Sequence, residues 1–336
     1  MANKYSHSML AMYRACALKF KYRYVDKLVP LQAESRHDAD FGNAWHAGLA
    51  ALYAKDGSVK KAQEAFAADY AEKSYPAVLP IRSQGKTFSN GLAALKGYAY
   101  KWREEDAHMT VLEVEQRTDS EADKTILKLD LIMQDDRDGQ IYPWDHKTTS
   151  SYLDNDFWKR YEPNSQVRFY ADYAKTRFGD CGGFVINAAT FKHRSRAYTP
   201  RQGPQKGIQL PAGDWFDFAR LVLNPNADCI QLERDNFTYW TARIEADKSS
   251  GQWGYNTDSC HQYGRECEYF KLCSAGYSWP RDEELILGYY RQACPKILPE
   301  GRCQLDLNHE GDHDSSIAVA PDYTVETEGE VEYAVS

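Results

Sequence analysis

The chain has 336 residues, a net charge of −8, 43% hydrophobic and 27% charged side chains, with 24 Tyr and 8 Trp. This length and composition support a packed core and exclude a collagen, a coiled coil and a chain disordered throughout. No apolar run approaches the roughly 18 residues of a membrane span, and the opening MANKYSHSML lacks the apolar stretch of a signal peptide, so a cytoplasmic protein with no membrane partner is expected.

In chain order, Leu10, Tyr13, Ala17, Phe20 and Tyr24 recur at helical spacing, predicting an amphipathic helix over residues 8–25 that carries Cys16. Further helices are expected over 43–55, 59–74 and 91–105, so the first hundred residues read as helical. The texture then changes to short β-type runs, VLEVEQR, KTILKLDLIM and GQIYPWDHK, the last two joined by a DDRDG turn. Residues 156–178 return to a helical pattern, and GGFVINAATF reads as another strand. Residues 181–213 hold five basic residues, Lys192, Arg194, Arg196, Arg201 and Lys206, and no acidic one, predicting a basic loop. Helices are expected again over 215–223 and 237–246. From Ser315 onward there are five acidic residues and no basic one; without them the net charge is −3, so net charge does not decide the partner.

The hairpin builds a site. With its turn centred between Arg137 and Asp138, antiparallel partners have position numbers summing to 275, which makes Asp130 and Asp145 cross-strand neighbours about 5 Å apart at Cβ. Both could bind one divalent cation. Lys147, two residues beyond Asp145, projects from the same strand face, where an ammonium could orient or activate an attacking water. This constellation suits phosphodiester hydrolysis. Pro143 removes a ladder hydrogen bond and marks a bulge or an edge strand, either of which would shift this register. Glu113 and Glu115 alternate onto one face of the preceding strand, either as supporting or extra metal ligands or as an exposed strand face.

An Asp, a hairpin, then Asp-His-Lys-Thr-Thr, followed by Gln166 and Tyr170 in QVRFY, resembles the PD-(D/E)XK nuclease superfamily, specifically its RecB-like exonuclease branch. Upstream, Gly42 and His46 in FGNAWHAGL match that branch's Gly-x-x-x-His motif. The resemblance covers about residues 5–275, with the motifs in family order. It implies an α/β fold, a central mixed sheet flanked by helices, and Mg²⁺ or Mn²⁺ held by His46, Asp130, Asp145 and the His146 carbonyl. It further implies that Lys147 positions the nucleophilic water while Gln166 and Tyr170, four apart on one helix face, contact that water or the scissile phosphate.

Eight cysteines without an export signal read as metal ligands, reactive thiols or core residues rather than disulfides. Cys260, Cys267 and Cys273, with gaps of six and five residues, need a fourth ligand. RecB-like nucleases with an iron–sulfur cluster, including the AddB type and the CRISPR-adaptation nucleases, take one Cys before the nuclease core and three after it. The resemblance therefore implies a [4Fe–4S] cluster on Cys16, Cys260, Cys267 and Cys273. The first gap is wider than the two residues usual in those families, which leaves Zn²⁺ open, and Cys16 open as a core thiol. Cys294, Cys303, His309 and His313, with gaps of eight, five and three residues, form a second group that suits tetrahedral Zn²⁺ as a small zinc knuckle; the alternative is a flexible segment. Cys181 and Cys229 have no clustered partners and read as core or inert thiols.

A nuclease needs cations and aromatic faces along its strand. The basic loop with Lys192, Arg194 and Arg196 offers them, as does the segment Trp158, Lys159, Arg160 and Tyr161 leading to Arg168. The expected organisation is a RecB-like nuclease domain over 1–287, the knuckle over 288–315 and a disordered acidic tail over 316–336. The expected function is a metal-dependent DNA exonuclease acting on DNA ends or single strands in replication, recombination or repair. The alternatives are a structure-selective endonuclease with the same site and a non-catalytic nucleic-acid-binding metalloprotein. No G-x-x-x-x-G-K-[ST] loop occurs, so unwinding would come from a helicase or recombination partner.

Overall fold

The structure is a computed structural model that describes residues 4–31, 37–71, 83–120, 125–179, 181–199, 207–262, 265–292, 297–298 and 301–302. The chain divides into two compact units, Met1–Arg14 with Ser35–Gln252, and Ala15–Glu34 with Trp253–Ser336.

The first unit begins with β1 (Tyr5–Ser6) and α1 (His7–Ala15), whose last residue belongs to the second unit. After α2 (Ala17–Phe20) and β2 (Leu28–Pro30) of the second unit come α3 (His37–Tyr53), α4 (Val59–Ala71), α5 (Phe88–Lys101) and α6 (Arg103–Asp106). Then follow β3 (Met109–Ser120), β4 (Thr125–Asp135), β5 (Ile141–Thr149), α7 (Asn155–Lys159), α8 (Ser165–Phe178), β6 (Phe184–Arg194), β7 (Gly213–Leu223) and α9 (Ala227–Ser250). Six strands form a mixed sheet in the order β1-β4-β5-β6-β7, with β3 also paired to β4. The β1–β4 and β5–β6 pairs are parallel and the rest antiparallel.

Helices cover both faces, because alternate strand residues are apolar on each. One core packs Phe41, Trp45 and Leu49 of α3, Phe66 of α4 and Tyr98 of α5 against Leu131, Met133, Trp144 and Phe191. The other packs Phe157, Val167, Tyr170 and Ala171 of α7 and α8 against Leu127, Leu129, Ile132, Phe184 and Ile186. Leu127 and Leu129 thus face α8, whereas Leu131 and Met133 face α3. Strict alternation would keep all four on one side, so β4 changes phase at Asp130. Opposite it, β3 carries Glu115 in the left-handed region at φ +50°.

Several expectations are corrected. Residues 215–223 are not a helix: they are β7, which pairs with β6 from Phe184↔Leu223 to Arg194↔Gly213. The basic loop is strand in its first half, since β6 runs through Lys192 to Arg194. The helix expected over 8–25 breaks at Cys16, which is extended (φ −165°, ψ 113°) and so not on a helix, and ends in a π turn over Lys21–Val25. The helix over 156–178 is two, parted at Pro163; the Asn164 side chain then caps α8 by accepting from the Gln166 N–H at 2.8 Å. The helical first hundred residues also include β1 and β2.

The second unit holds β8 (His261–Gln262), β9 (Arg265–Glu266), α10 (Phe270–Ser274), α11 (Glu283–Leu287), β10 (Tyr290–Gln292) and the pair β11 (Ile297–Leu298) and β12 (Gly301–Arg302). Its core is Tyr22, Leu28, Tyr269, Leu272, Ile286 and Tyr290, with β2 antiparallel to β10 and the Tyr269 hydroxyl donating to the Leu28 carbonyl at 2.7 Å. Cys294, Cys303, His309, His313 and the acidic tail lie outside the described residues. No helix of the described residues is long and apolar enough to cross a membrane.

Candidate active site

The β4–β5 register sums to 275 from Leu131↔Trp144 to Gln134↔Ile141, and the ladder stops just before Asp130 and Asp145. The same edge of β4 pairs with β1 at Thr125 and Ile126, so residues 127–130 face no strand partner there among the described residues. Beyond Trp144, β5 turns to β6. The strands splay at the two aspartates, and the gap lets groups from both helix layers meet between them. Asp130 partly fills it: its Oδ2 accepts the His146 backbone N–H at 2.7 Å, replacing a ladder bond.

On the α3 side, His46 Nδ1 lies 3.2 Å from Asp130 Oδ1. Ligand atoms of His46, Glu115 and Asp130 come within 4.8 Å of one another, and no other three acid, imidazole or thiol side chains do so among the described residues. The left-handed backbone of Glu115 separates it from Glu113, which the sequence had put on the same face. Glu113 instead pairs with Arg177, including an Nη1–Oε2 bond of 2.9 Å, while Glu115 also meets Lys128 Nζ at 2.6 Å. Gly42, one turn before His46, faces Thr148 of β5, where an added Cβ would meet Oγ1 at an ordinary 3.5 Å.

On the α8 side, Lys147 Nζ lies 2.5 Å from Asp145 Oδ2. Gln166 Nε2 donates to Asp145 Oδ1 at 3.1 Å, and its Oε1 accepts from Lys147 at 3.4 Å. These three side chains form a closed set. Tyr170, one turn along α8, is buried with its ring 5.8 Å from Phe184; burial and then the Asp145 charge raise its hydroxyl pKa, keeping it a neutral donor.

Burial opposes every charge here, and neighbours decide the outcome. Burial works against the imidazolium of His46, but Asp130 outweighs it and raises the pKa. Burial would raise Asp130, yet His46 and the His146 N–H hold it well below the usual carboxylate range. Asp145 stays raised by burial, with Lys147 only partly opposing it and Asp130 adding repulsion. Lys147 resists burial through Asp145 and is raised, so it is an ammonium at neutral pH. The ring of His146 turns to the α3 side, where burial holds it neutral, its pKa lowered to about 3, and Asn187 Nδ2 lies 2.8 Å from its Nδ1. Two carboxylates, a third at Glu115 and an imidazole make an oxygen-rich donor set that fits a hard divalent cation such as Mg²⁺ or Mn²⁺. Asp145 Oδ2, buried with only the Lys147 ammonium beside it, is a further available ligand.

The expected DNA contacts are divided. Lys159 and Arg160 are exposed, Phe157 and Tyr161 are buried, and Trp158 is half-buried and packs against them, so that segment offers cations and part of one indole. Arg168 is half-buried on α8. Lys192 and Arg194 are half-buried at the end of β6, and Arg196 is exposed just beyond. Sequence reasoning passes over His7, whose pKa is lowered to about 4 by burial, then Arg14, then Lys147. In the second unit, the Cys273 thiol is pushed up to about 11 by burial and then by Cys16 and Cys267, with Cys260 adding to it. Cys16, Cys260 and Cys267 thus belong to the electrostatic surroundings of Cys273, although among the described residues no three of these sulfurs lie within 4.8 Å of one another.

No curated protein matches this sequence. In overall structure the chain is similar to a crystal structure of an inferred exonuclease from Eubacterium rectale, at 13% identity and TM-score 0.44, covering 82% of this chain and 89% of that one. The profile of one family, described as the PD-(D/E)XK nuclease superfamily, matches residues 4–274, a span that includes Asp130, Asp145, Lys147 and all three thiols of the Cys260 group. The chain belongs to the PD-(D/E)XK nuclease superfamily.

Proposed function

We propose that the protein is a Mg²⁺- or Mn²⁺-dependent exodeoxyribonuclease acting on DNA ends or single strands in recombination or repair. The observation that carries this reading is the gap between β4 and β5, where His46, Glu115 and Asp130 gather on one side and Asp145, Lys147 and Gln166 on the other. A cation held by His46, Asp130, Asp145 and the His146 carbonyl, with Glu115 in reach, would supply Lewis-acid stabilisation of phosphate charge and a lowered water pKa. Lys147, kept protonated by Asp145, orients the attacking water and offsets charge developing on the phosphate. Gln166 fixes the Lys147 and Asp145 side chains through its two amide atoms, and neutral Tyr170 donates toward the same space.

The same reading gives the second unit a [4Fe–4S] cluster on Cys16, Cys260, Cys267 and Cys273. Four thiolates on tetrahedral Zn²⁺ would stand only about 4 Å apart, given a Zn–S bond of about 2.3 Å. A [4Fe–4S] cluster spans a larger set of thiolates than one Zn²⁺ does, and Zn²⁺ on the same four thiols is the alternative. A zinc knuckle on Cys294, Cys303, His309 and His313, nuclease domain boundaries at 1–287, and a helicase or recombination partner complete the proposal.

The test compares end-labelled linear DNA with circular DNA in Mg²⁺, Mn²⁺ and EDTA. Linear DNA should be degraded in either metal and circular duplex spared. Asp130→Ala, Asp145→Ala and Lys147→Ala should each abolish hydrolysis while retaining DNA binding. Cleavage by Asp145→Ala at the wild-type rate would overturn the assigned site, and equal nicking of circular DNA would overturn the exonuclease reading.

A further inference from the structure

The splayed strands point toward a second feature on the same sheet face. Asp145 and Lys147 project toward α8, and on β6 the residues sharing that side are Phe184, Ile186 and Ala188, then by alternation Thr190, Lys192 and Arg194. Ala188 pairs with Lys147. Lys192, four residues further along β6, therefore lies about 13 Å beyond the catalytic level at about 3.3 Å per residue. There Lys192 Nζ sits 3.5 Å from the ring centroid of Tyr152, and the Arg194 guanidinium sits 4.3 Å from that of Trp215. Trp215 is the β7 residue opposite Lys192, and the Tyr152 and Trp215 centroids are 6.1 Å apart at 33°. Tyr152 is 57% exposed.

Two rings and two cations interleaved at an open strand end are poor material for a core and are not required by the fold. Carboxylates near them are committed elsewhere. Asp214 bonds His193 at 2.7 Å and Thr87 at 3.0 Å, and Asp154 caps α7 by accepting the Phe157 N–H at 3.0 Å. The patch thus sets two cations against two π faces, the chemistry that binds phosphates and stacks bases of an unpaired strand. A duplex buries its base faces and could use only the cations.

We infer that Tyr152, Trp215, Lys192 and Arg194 form a stacking platform that holds single-stranded DNA a few nucleotides from the scissile phosphate. The inference rests on the nuclease reading above and names its substrate form: the strand must be unpaired at the platform while it is cut between β4 and β5.

The experiment measures binding of full-length protein to a fluorescein-labelled oligo(dT) of about 16 nucleotides and to a duplex, in EDTA so that no cleavage occurs. Tyr152→Ala and Trp215→Ala should each weaken single-strand binding about tenfold, while Tyr152→Phe and Trp215→Phe bind like wild type. Duplex binding should be unchanged in all four. Lys192→Ala and Arg194→Ala should each lower the salt slope for the single strand by about 0.7. Hydrolysis of bis(p-nitrophenyl) phosphate, too small to reach the platform, should be equal in all six variants, which reports an intact fold and site. Wild-type oligo(dT) affinity in the alanine variants, equal losses on duplex, or phenylalanine variants as weak as alanine would each overturn the platform. Wild-type protein that binds oligo(dT) through these residues but hydrolyses nothing would instead refute the nuclease reading and leave the platform standing.

Discussion

Replacing Arg220 by Met should cost about 3–4 kcal/mol of stability, a loss set by the way its guanidinium is enclosed. Arg220 projects from β7 with its side chain only 10% exposed and pairs bidentately with Asp106 at 2.6 and 3.1 Å. It stacks 4.0 Å from the Trp102 centroid and 4.5 Å from that of Trp144, and donates to the hydroxyls of Tyr53 at 3.1 Å and Tyr98 at 2.9 Å. Methionine keeps much of the apolar stem but leaves Asp106 without its cation. Removing one partner of a buried pair costs about 3–5 kcal/mol, and because Asp106 is 21% exposed the low end applies, to which lost cation–π contact adds about 0.5–1 kcal/mol. In a unit of this size, that corresponds to a melting temperature lower by roughly 10 °C.

Thermal and urea unfolding followed by circular dichroism measure the loss. Arg220→Lys should recover little, since an ammonium cannot form the fork or stack flat between two indoles. Asp106→Asn combined with Arg220→Met should be milder than the sum of the single changes by about 2 kcal/mol, because the double variant leaves no buried charge alone. A melting temperature within about 2 °C of wild type for Arg220→Met, or strict additivity in the double variant, would refute the reasoning.

His46→Ala should raise the Mg²⁺ concentration giving half-maximal cleavage by roughly tenfold or more while lowering the limiting rate less; an unchanged metal titration would make His46 a core residue. Anaerobically purified protein should be brown with absorbance near ~400 nm, and Cys16→Ser, Cys260→Ser, Cys267→Ser or Cys273→Ser should bleach it; colourless protein carrying zinc on these thiols would count against the cluster. Full-length protein should hold one more Zn²⁺ than a chain ending at Gly288, and equal zinc in both would remove the knuckle. Asp135, hydrogen-bonded to the Arg137 side chain and N–H, has its pKa lowered to about 2. A depressed carboxyl pKa stabilises above the unfolded value and stops doing so as pH falls through the folded one. Asp135→Asn should therefore lose about 1 kcal/mol at pH 7, discounted for the solvent-exposed Arg137, and the deficit should shrink as pH falls from about 4 toward 2. A deficit in the urea midpoint that stays constant over that window would exclude this origin.

The sequence by itself determined what is local. A turn of Asp, Arg and Gly between alternating runs fixes a hairpin register, so the sum of 275 holds over four pairs. Spacing of four puts Gln166 and Tyr170 on one helix face, and the Asp145–Lys147 spacing puts both on one strand face. What only the tertiary structure decided depends on partners distant in the chain. WFDFARLVL has apolar residues compatible with either period, and pairing along the whole of β6 makes it a strand. The phase change at Asp130 and the left-handed Glu115 arise because one edge of β4 serves β1 and then β5, and no local pattern encodes that division. Cys16 leaves its helix where periodicity predicts continuity. Phe157 and Tyr161 are lost to DNA contact because α8 and the sheet bury them, while Tyr152 and Trp215, far apart in sequence, meet at the strand ends. Local geometry lays out which side chains share a face; long-range pairing determines which faces meet, and the reaction site lies where two such pairings diverge.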